Sequence, residues 1–241
     1  MHTNRLRTIL FFSILAFGTK KCFSQDGWNR IDGDIKEAVS VDTTKRGKYT
    51  LVFINKSSDF NAELKSKLTD VFFVNYPKEA KIYNRKAMDK VIFVIDPGYQ
   101  GVAAAGGGVV RFNPSWFKKN PGDIDVVTHE VMHLVQSYPD ESGPGWITEG
   151  IADYVRFTLG IDNEAANWKL PEYNKKQSYE NAYRVTARFF YWIEKYIKKG
   201  TVKKLDAAMR NKRYTSSFWE ENTGMSVDEL WTKYAKEPDI S

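Results

Sequence analysis

The sequence predicts an α+β domain, on three observations. Segments rich in β-branched and aromatic residues fall between residues 49 and 112, where they read as strands. From about residue 121 onward the apolar residues recur every three or four positions instead, the spacing of amphipathic helices. No internal repeat and no Pro/Ser-rich linker separates the two regions, so a small twisted sheet and a mostly helical C-terminal half are expected to share one core. The 241 residues, 42% hydrophobic and 15% aromatic, supply enough apolar surface for that core and argue against a disordered chain.

Residues 1–24 read as a signal peptide for export. Arg5 and Arg7 precede an apolar stretch over residues 9–18, too short to span a bilayer comfortably, and cleavage after Ser24 leaves a mature domain of residues 25–241. Cleavage removes Arg5, Arg7, Lys20 and Lys21 and no acidic residue, which lowers the formal charge of +6 by four. The basic balance therefore does not call for a nucleic-acid partner. Cys22, the single cysteine, follows Thr19-Lys20-Lys21 and not the small-residue box of lipid attachment, so no stable membrane anchor is expected. A mature chain without cysteine has no disulfide, no cysteine metal site and no cysteine nucleophile.

The elements follow in order. Residues 49–54, Tyr-Thr-Leu-Val-Phe-Ile, form the first predicted strand; Leu64, Leu68, Val71 and Phe72 then mark a helix over residues 59–76. Residues 90–95 form a second strand closed by the turn signal Asp96-Pro97-Gly98. The glycine run at residues 106–108 lacks the Lys-Ser/Thr ending of a phosphate loop and reads as a turn or bulge before a third strand, residues 109–112. If that strand lies at the sheet edge over a cleft, an extended peptide can pair with it. The next helix starts near residues 121–123 with Asp123 or Asp125 as N-cap, and Ile124, Val127, Val131, Leu134 and Val135 form its apolar stripe. A Pro- and Gly-containing loop at residues 139–145 ends it, and a second helix begins at Trp146. Residues 179–199 form a further helix with Phe189, Phe190 and Trp192 in the core; residues 201–211 and 226–236 form two more, the last opened by the capping box Ser226-Val227-Asp228-Glu229. The lysine pairs at 198–199 and 203–204 read as solvated faces.

The chemistry is concentrated at His129-Glu130-Val131-Met132-His133, an HExxH pattern. Residues four apart share one face of a helix, so the two imidazoles can converge on a single ion. Glu130, about 100° further round the helix, can reach a water at that ion without competing for it. Zn²⁺ suits such a site because it accepts neutral imidazole and carboxylate and, when catalytic, keeps one position open. His2 leaves with the signal peptide, so the third ligand must come from another residue type; Glu149 is the strongest candidate.

HEVMH followed by Trp146-Ile147-Thr148-Glu149-Gly150-Ile151-Ala152 resembles the gluzincin arrangement, in which a glutamate on the following helix completes the zinc site. Asp153 matches the position where thermolysin-like enzymes place an aspartate that holds the outer ring N–H of a zinc-bound histidine. HEVMHLVQ, WITEGIADYVR and the segment from Ser178 to Phe190 together are similar to the basic secretory protein family, zincin-like peptidases of plants and bacteria, and the resemblance covers most of the mature chain. It implies a zincin-like fold with the active-site helix beneath the sheet edge. Tyr183 matches a tyrosine of the family motif and is expected to donate to the developing oxyanion, with Tyr179 and Arg184 as alternatives. Only fifteen residues separate His133 from Glu149, and the GxMEN motif of large aminopeptidases is absent, which disfavours aminopeptidase action.

The sequence thus predicts an exported, monomeric zinc peptidase acting on peptide or protein substrates, with His129, His133 and Glu149 as metal ligands, Glu130 and Tyr183 as catalytic groups and Asp153 behind His129. The alternative is a catalytically silent zincin-fold protein that binds a peptide or glycan. A purely structural zinc is disfavoured, since such sites prefer four protein ligands, usually with cysteine.

Overall fold

The computed structural model describes residues 31–241; the expected signal peptide lies outside them. Two short elements, α1 (Asp32–Glu37) and β1 (Ser40–Arg46), precede β2 (Tyr49–Asn55), α2 (Ala62–Ile82) and β3 (Lys90–Ile95). A hairpin of β4 (Ala103–Gly106) and β5 (Val109–Phe112) completes one sheet in the order β1-β2-β3-β5-β4. The central strands β2, β3 and β5 run parallel and the two edge strands antiparallel to their neighbours. Period-two alternation explains the placement. Leu51, Phe53, Val91, Phe93, Val110 and Phe112 point into the main core, while Ile54, Val94 and Val109 form a smaller cluster on the opposite face with Ile31 and Ala38.

The third predicted strand is internal, not at the edge. Gly107 and Gly108 have φ of 55° and 87°, the two positive values a tight two-residue hairpin turn requires, so residues 103–106 fold back and cover β5. The edge that faces the cleft is therefore β4, whose run of alanines gave no strand signal. On the far face, α1 is tied down by charge. Arg111 donates to both Asp34 oxygens at 2.9 and 2.6 Å and to Asp96 at 3.2 Å, and Lys56 bonds Asp34 at 3.1 Å.

Helix α2 begins at Asn61, whose side chain accepts from the Leu64 amide at 2.9 Å, and runs beyond the predicted end, through Pro77 to Ile82. Proline removes one helical hydrogen bond, but Tyr76, Glu79 and Ala80 are buried on either side of it, and that packing carries the helix on. Helix α3 (Pro114–Lys119) leads to α4 (Val126–Gln136), which carries the HExxH pattern, and α5 (Gly145–Leu159) follows. Asp125 occupies the N-cap position of α4 without capping it. Its φ and ψ of −77° and 1° keep its carboxylate away from the helix amides, and it accepts instead from Thr128 Oγ1, Ile161 N and Asp162 N.

The predicted continuous helix over residues 179–199 is three pieces: a 3₁₀ turn (Tyr179–Asn181), α6 (Tyr183–Trp192) and a π-helical turn (Ile193–Ile197). Ala182 and Tyr183 take positive φ of 61° and 49°, which redirects the chain at the entry to α6. Helices α7 (Thr201–Arg210), α8 (Phe218–Thr223) and α9 (Val227–Lys236) complete the fold, α9 with the Ser226–Glu229 capping box in place. Buried Arg188 joins α6 to the C-terminal segment by donating to Tyr234 Oη at 3.1 Å and to the Pro238 carbonyl at 3.0 Å. Among the described residues no helix is long and apolar enough to cross a membrane.

Candidate metal centre

The apolar stripe of α4 fixes the direction of its polar residues. Val127, Val131 and Val135 are fully buried in the core, which turns His129, Glu130 and His133 toward a cleft of about 1330 Å³. Helix α5 packs beside α4 and brings Glu149 and Asp153 to the same place. Their approach depends on Gly150, the residue after Glu149, where the side chains of Thr186 and Phe190 on α6 lie directly against the backbone.

Three ligand atoms meet here. His129 Nε2 and His133 Nε2 are 3.2 Å apart, and Glu149 Oε2 lies 3.3 and 3.5 Å from them. A tetrahedral ion with bonds of about 2.0–2.1 Å has ligand–ligand edges of about 3.3 Å. Among the described residues, this is the His/Cys/Asp/Glu group placed to hold a metal.

The outer ring nitrogens decide what the inner ones can do. His129 Nδ1 is 2.6 Å from Asp153 Oδ1, and His133 Nδ1 is 2.7 Å from Gln136 Oε1. Gln136 Nε2 in turn donates to the Thr148 carbonyl at 2.9 Å, which orients its amide oxygen toward His133. Both partners of the Nδ1 atoms are acceptors, so both Nδ1 atoms carry hydrogen and both neutral imidazoles present Nε2 lone pairs. Two lone pairs and a carboxylate oxygen within 3.5 Å of one another favour positive charge between them, whether a proton or a metal ion.

The protonation equilibria express the same demand. Burial disfavours charge on His129, yet the Asp153 and Glu149 carboxylates outweigh it and hold the imidazole well above its usual range. His133 is raised in the same way, against burial, by Glu149. Burial works against ionised Glu149 too, but its bonds to both imidazoles keep the carboxyl well below the carboxylate range. Glu130 differs: burial pushes its carboxyl up, the two imidazoles oppose that, and its Oε2 has no hydrogen-bond partner. A donor set of two imidazoles and a carboxylate, with a free carboxylate beside it, fits zinc with one open position.

The remaining predicted residues separate clearly. Tyr183 stacks on His129 with ring centroids 6.2 Å apart and 16° between planes, and its half-exposed ring lines the cleft. Burial, and then the Glu149, Asp153 and Glu130 carboxylates, push its hydroxyl up to about 12, so it stays protonated at neutral pH. Tyr179 is turned away: its hydroxyl donates to Asp228 at 2.8 Å and its ring packs on Trp146. Arg184 lines the cleft and donates to the Lys169 carbonyl at 3.4 Å. Three large side chains of the same region are engaged elsewhere: Arg111 pairs with Asp34, Trp146 packs against Phe190 and Trp219, and Tyr173 against Trp231 and Tyr234. Gln136 was not foreseen, although its position three residues after His133 placed it on the right face of the helix.

A sheet over an HExxH helix, completed by a glutamate one helix further on, defines the zincin-like class with a gluzincin-type site. The chain belongs to the family described as "Peptidase of plants and bacteria", matched over residues 32–234. No curated protein matches it. Among solved structures it is similar in fold to a two-domain M1 zinc metallopeptidase variant bound to L-tryptophan, with a TM-score of 0.50, 12% identity, and coverage of 84% of this chain and 52% of that one. An M1 zinc metallopeptidase variant from Deinococcus radiodurans bound to Tyr-Ser-Ala gives the same score and identity, with 84% and 53% covered. The chain spans about half the length of these structures.

Proposed function

We propose that this chain is an exported, zinc-dependent peptidase that hydrolyses peptide bonds of extended substrates. The observation that carries the reading is the pairing of two features: three ligand atoms 3.2–3.5 Å apart, and beside them a buried carboxylate with an unpartnered oxygen. A site built only to hold an ion has no use for Glu130.

His129, His133 and Glu149 would hold the metal, which supplies a Lewis acid for the scissile carbonyl and makes a water acidic enough to lose its proton near neutral pH. Glu130 accepts that proton as the water oxygen bonds to the carbonyl carbon. It returns the proton to the amine nitrogen as the C–N bond breaks; a carboxyl raised by burial suits both transfers. The Tyr183 hydroxyl donates a hydrogen bond to the carbonyl oxygen as negative charge develops there. Asp153 and Gln136 keep the histidine tautomers fixed throughout. The outer edge of β4 offers backbone groups to an extended peptide across the cleft, and its small side chains leave room beside the site.

The reading is tested on the secreted chain, residues 25–241, by metal analysis and by mass-spectrometric cleavage of a diverse unstructured peptide library. One zinc per chain with internal cleavages is expected. Zinc absent from well-folded protein would overturn the ligand assignment, and zinc without cleavage of any peptide would favour a binding protein.

A further inference from the structure

The cleft extends well past the metal ligands, and its two ends differ in charge. Near the C-terminal end of α4 it is lined by Met88, Leu134, Tyr138 and Pro139, which carry none. Near the N-terminal end it is lined by Trp116, Asp123, Arg156, Trp168 and Arg184. Asp123 and Arg156 are both buried and bond at 2.5 Å, so their charges cancel. Trp116 Nε1 holds the second Asp123 oxygen at 2.7 Å, and the Arg156 guanidinium lies 4.5 Å from the centre of the Trp168 ring. These contacts build a fixed wall in which neither charge is available to a substrate.

Arg184 is different. His129, Glu130, His133, Glu149 and Asp153 belong to the metal centre, and Arg156 is neutralised. Arg184 is then the cleft-lining charge that pairs with no carboxylate among the described residues, its hydrogen bond being the long one to the Lys169 carbonyl next to Trp168. It stands in the first turn of α6, directly after Tyr183, which stacks on His129. The position is held because Thr186, half a turn later, packs against Gly150.

We propose that Arg184, beside the Trp168 wall, forms a subsite for a carboxylate of the substrate, so that the preferred substrates are peptides carrying an acidic group within a few residues of the scissile bond. The proposal rests on the peptidase reading and adds the substrate class. A guanidinium presents a planar fork of donors that matches a carboxylate. The carboxylate has two sources, an Asp or Glu side chain or the terminal carboxylate of a peptide that ends in the cleft.

The test uses peptides with one common neutral core: an amidated parent, versions with Glu placed successively at each position on either side of the cleaved bond, and the parent with a free C-terminal acid. Each is assayed with zinc-loaded wild type, Arg184→Lys, Arg184→Gln and Arg184→Glu. Wild type should favour the acidic peptide over the parent by about tenfold in kcat/KM at one position, the scale of one exposed charge-assisted hydrogen bond. The preference should weaken with added salt. The ratio should shrink in Arg184→Lys, which keeps the charge but loses the planar fork, fall to near one in Arg184→Gln, and reverse in Arg184→Glu. A gain confined to Glu peptides identifies a side-chain carboxylate, and one confined to the free acid identifies the chain terminus. A wild-type ratio near one throughout, or a preference that survives Arg184→Glu, overturns the proposal. Fluorescence anisotropy of the same peptides, labelled, on zinc-loaded protein reads the carboxylate preference without turnover. If wild type cleaves nothing, the peptidase reading fails while the binding data still decide on Arg184.

Discussion

Gly150 is the point where metal site and helix packing meet, and Gly150→Ala is the most informative small change. A methyl group there would meet Thr186 Cγ2 and Cβ, the latter at 2.8 Å, and Phe190 Cε2 at 3.1 Å. Carbon atoms pack at about 3.5–4.0 Å, so α5 and α6 must separate by roughly 1 Å. Thr186 and Phe190 are fully buried and cannot turn out to solvent. Overpacking of this kind costs about 1–3 kcal/mol, and the better helix propensity of alanine returns about 1 kcal/mol. The net loss, about 1 kcal/mol at the middle of these ranges, should lower the melting temperature by about 2–4 °C in a domain of this size. The functional loss should be larger in proportion. Glu149 precedes the clash on α5 and Tyr183 lies three residues before Thr186 on α6, so the proposed metal ligand and the proposed oxyanion donor both shift, and a displacement of about 1 Å typically costs about 10²-fold in rate. The assay is kcat/KM on a peptide from the library, measured well below the melting temperature, with zinc content alongside. Adding Thr186→Ala should recover part of both losses. A Gly150→Ala protein with wild-type stability and kcat/KM would refute the claim that this contact positions the site.

Three further outcomes are expected. Gln136→Leu removes the acceptor of His133 Nδ1 and the link to the Thr148 carbonyl, and should weaken zinc affinity about 10- to 100-fold in chelator competition while the melting curve of the metal-free protein stays near wild type. Asp34→Asn should destabilise the fold at pH 7 by about 3 kcal/mol, since Arg111 and Lys56 lose a buried partner while Asp96 remains. Burial opposes ionised Asp34, but Arg111 and Lys56 prevail and depress its folded pKa, so its contribution is present above pH 4 and is lost as pH falls through the depressed value. Denaturant titrations should accordingly show the wild-type advantage shrinking only in acid. Removal of zinc by a chelator should abolish cleavage but leave far-UV circular dichroism unchanged, because the core extends from the sheet through α9 independently of the metal centre; unfolding on chelation would assign the metal a structural role.

The parts of this fold that were legible in the sequence are those governed by local spacing. The strands at β2, β3 and β5 are marked by β-branched and aromatic runs, and helix α9 by a capping box that the structure contains. Elements without such marks were missed: β4 is three alanines and a glycine, a strand only because the Gly107-Gly108 turn folds it onto β5. The break at Ala182 and Tyr183 was equally hidden, since the apolar spacing runs through it and neither residue is of a type that favours positive φ. At the site, convergence of His129 and His133 is written in their spacing, and Glu149 and Asp153 share one helical face. Gln136 takes its meaning from a carbonyl twelve residues further on, which no local pattern encodes.

The central claim is that Glu130 moves the proton in a zinc-dependent hydrolysis, and Glu130→Gln tests it most directly. The substitution preserves shape and leaves the three ligand residues in place, so the variant should bind one zinc per chain and melt like wild type. Its kcat on a cleaved peptide should fall by about 10²–10⁴-fold, the range of a general base. Equal zinc content with wild-type turnover in the variant would contradict the account and require another group to accept the proton.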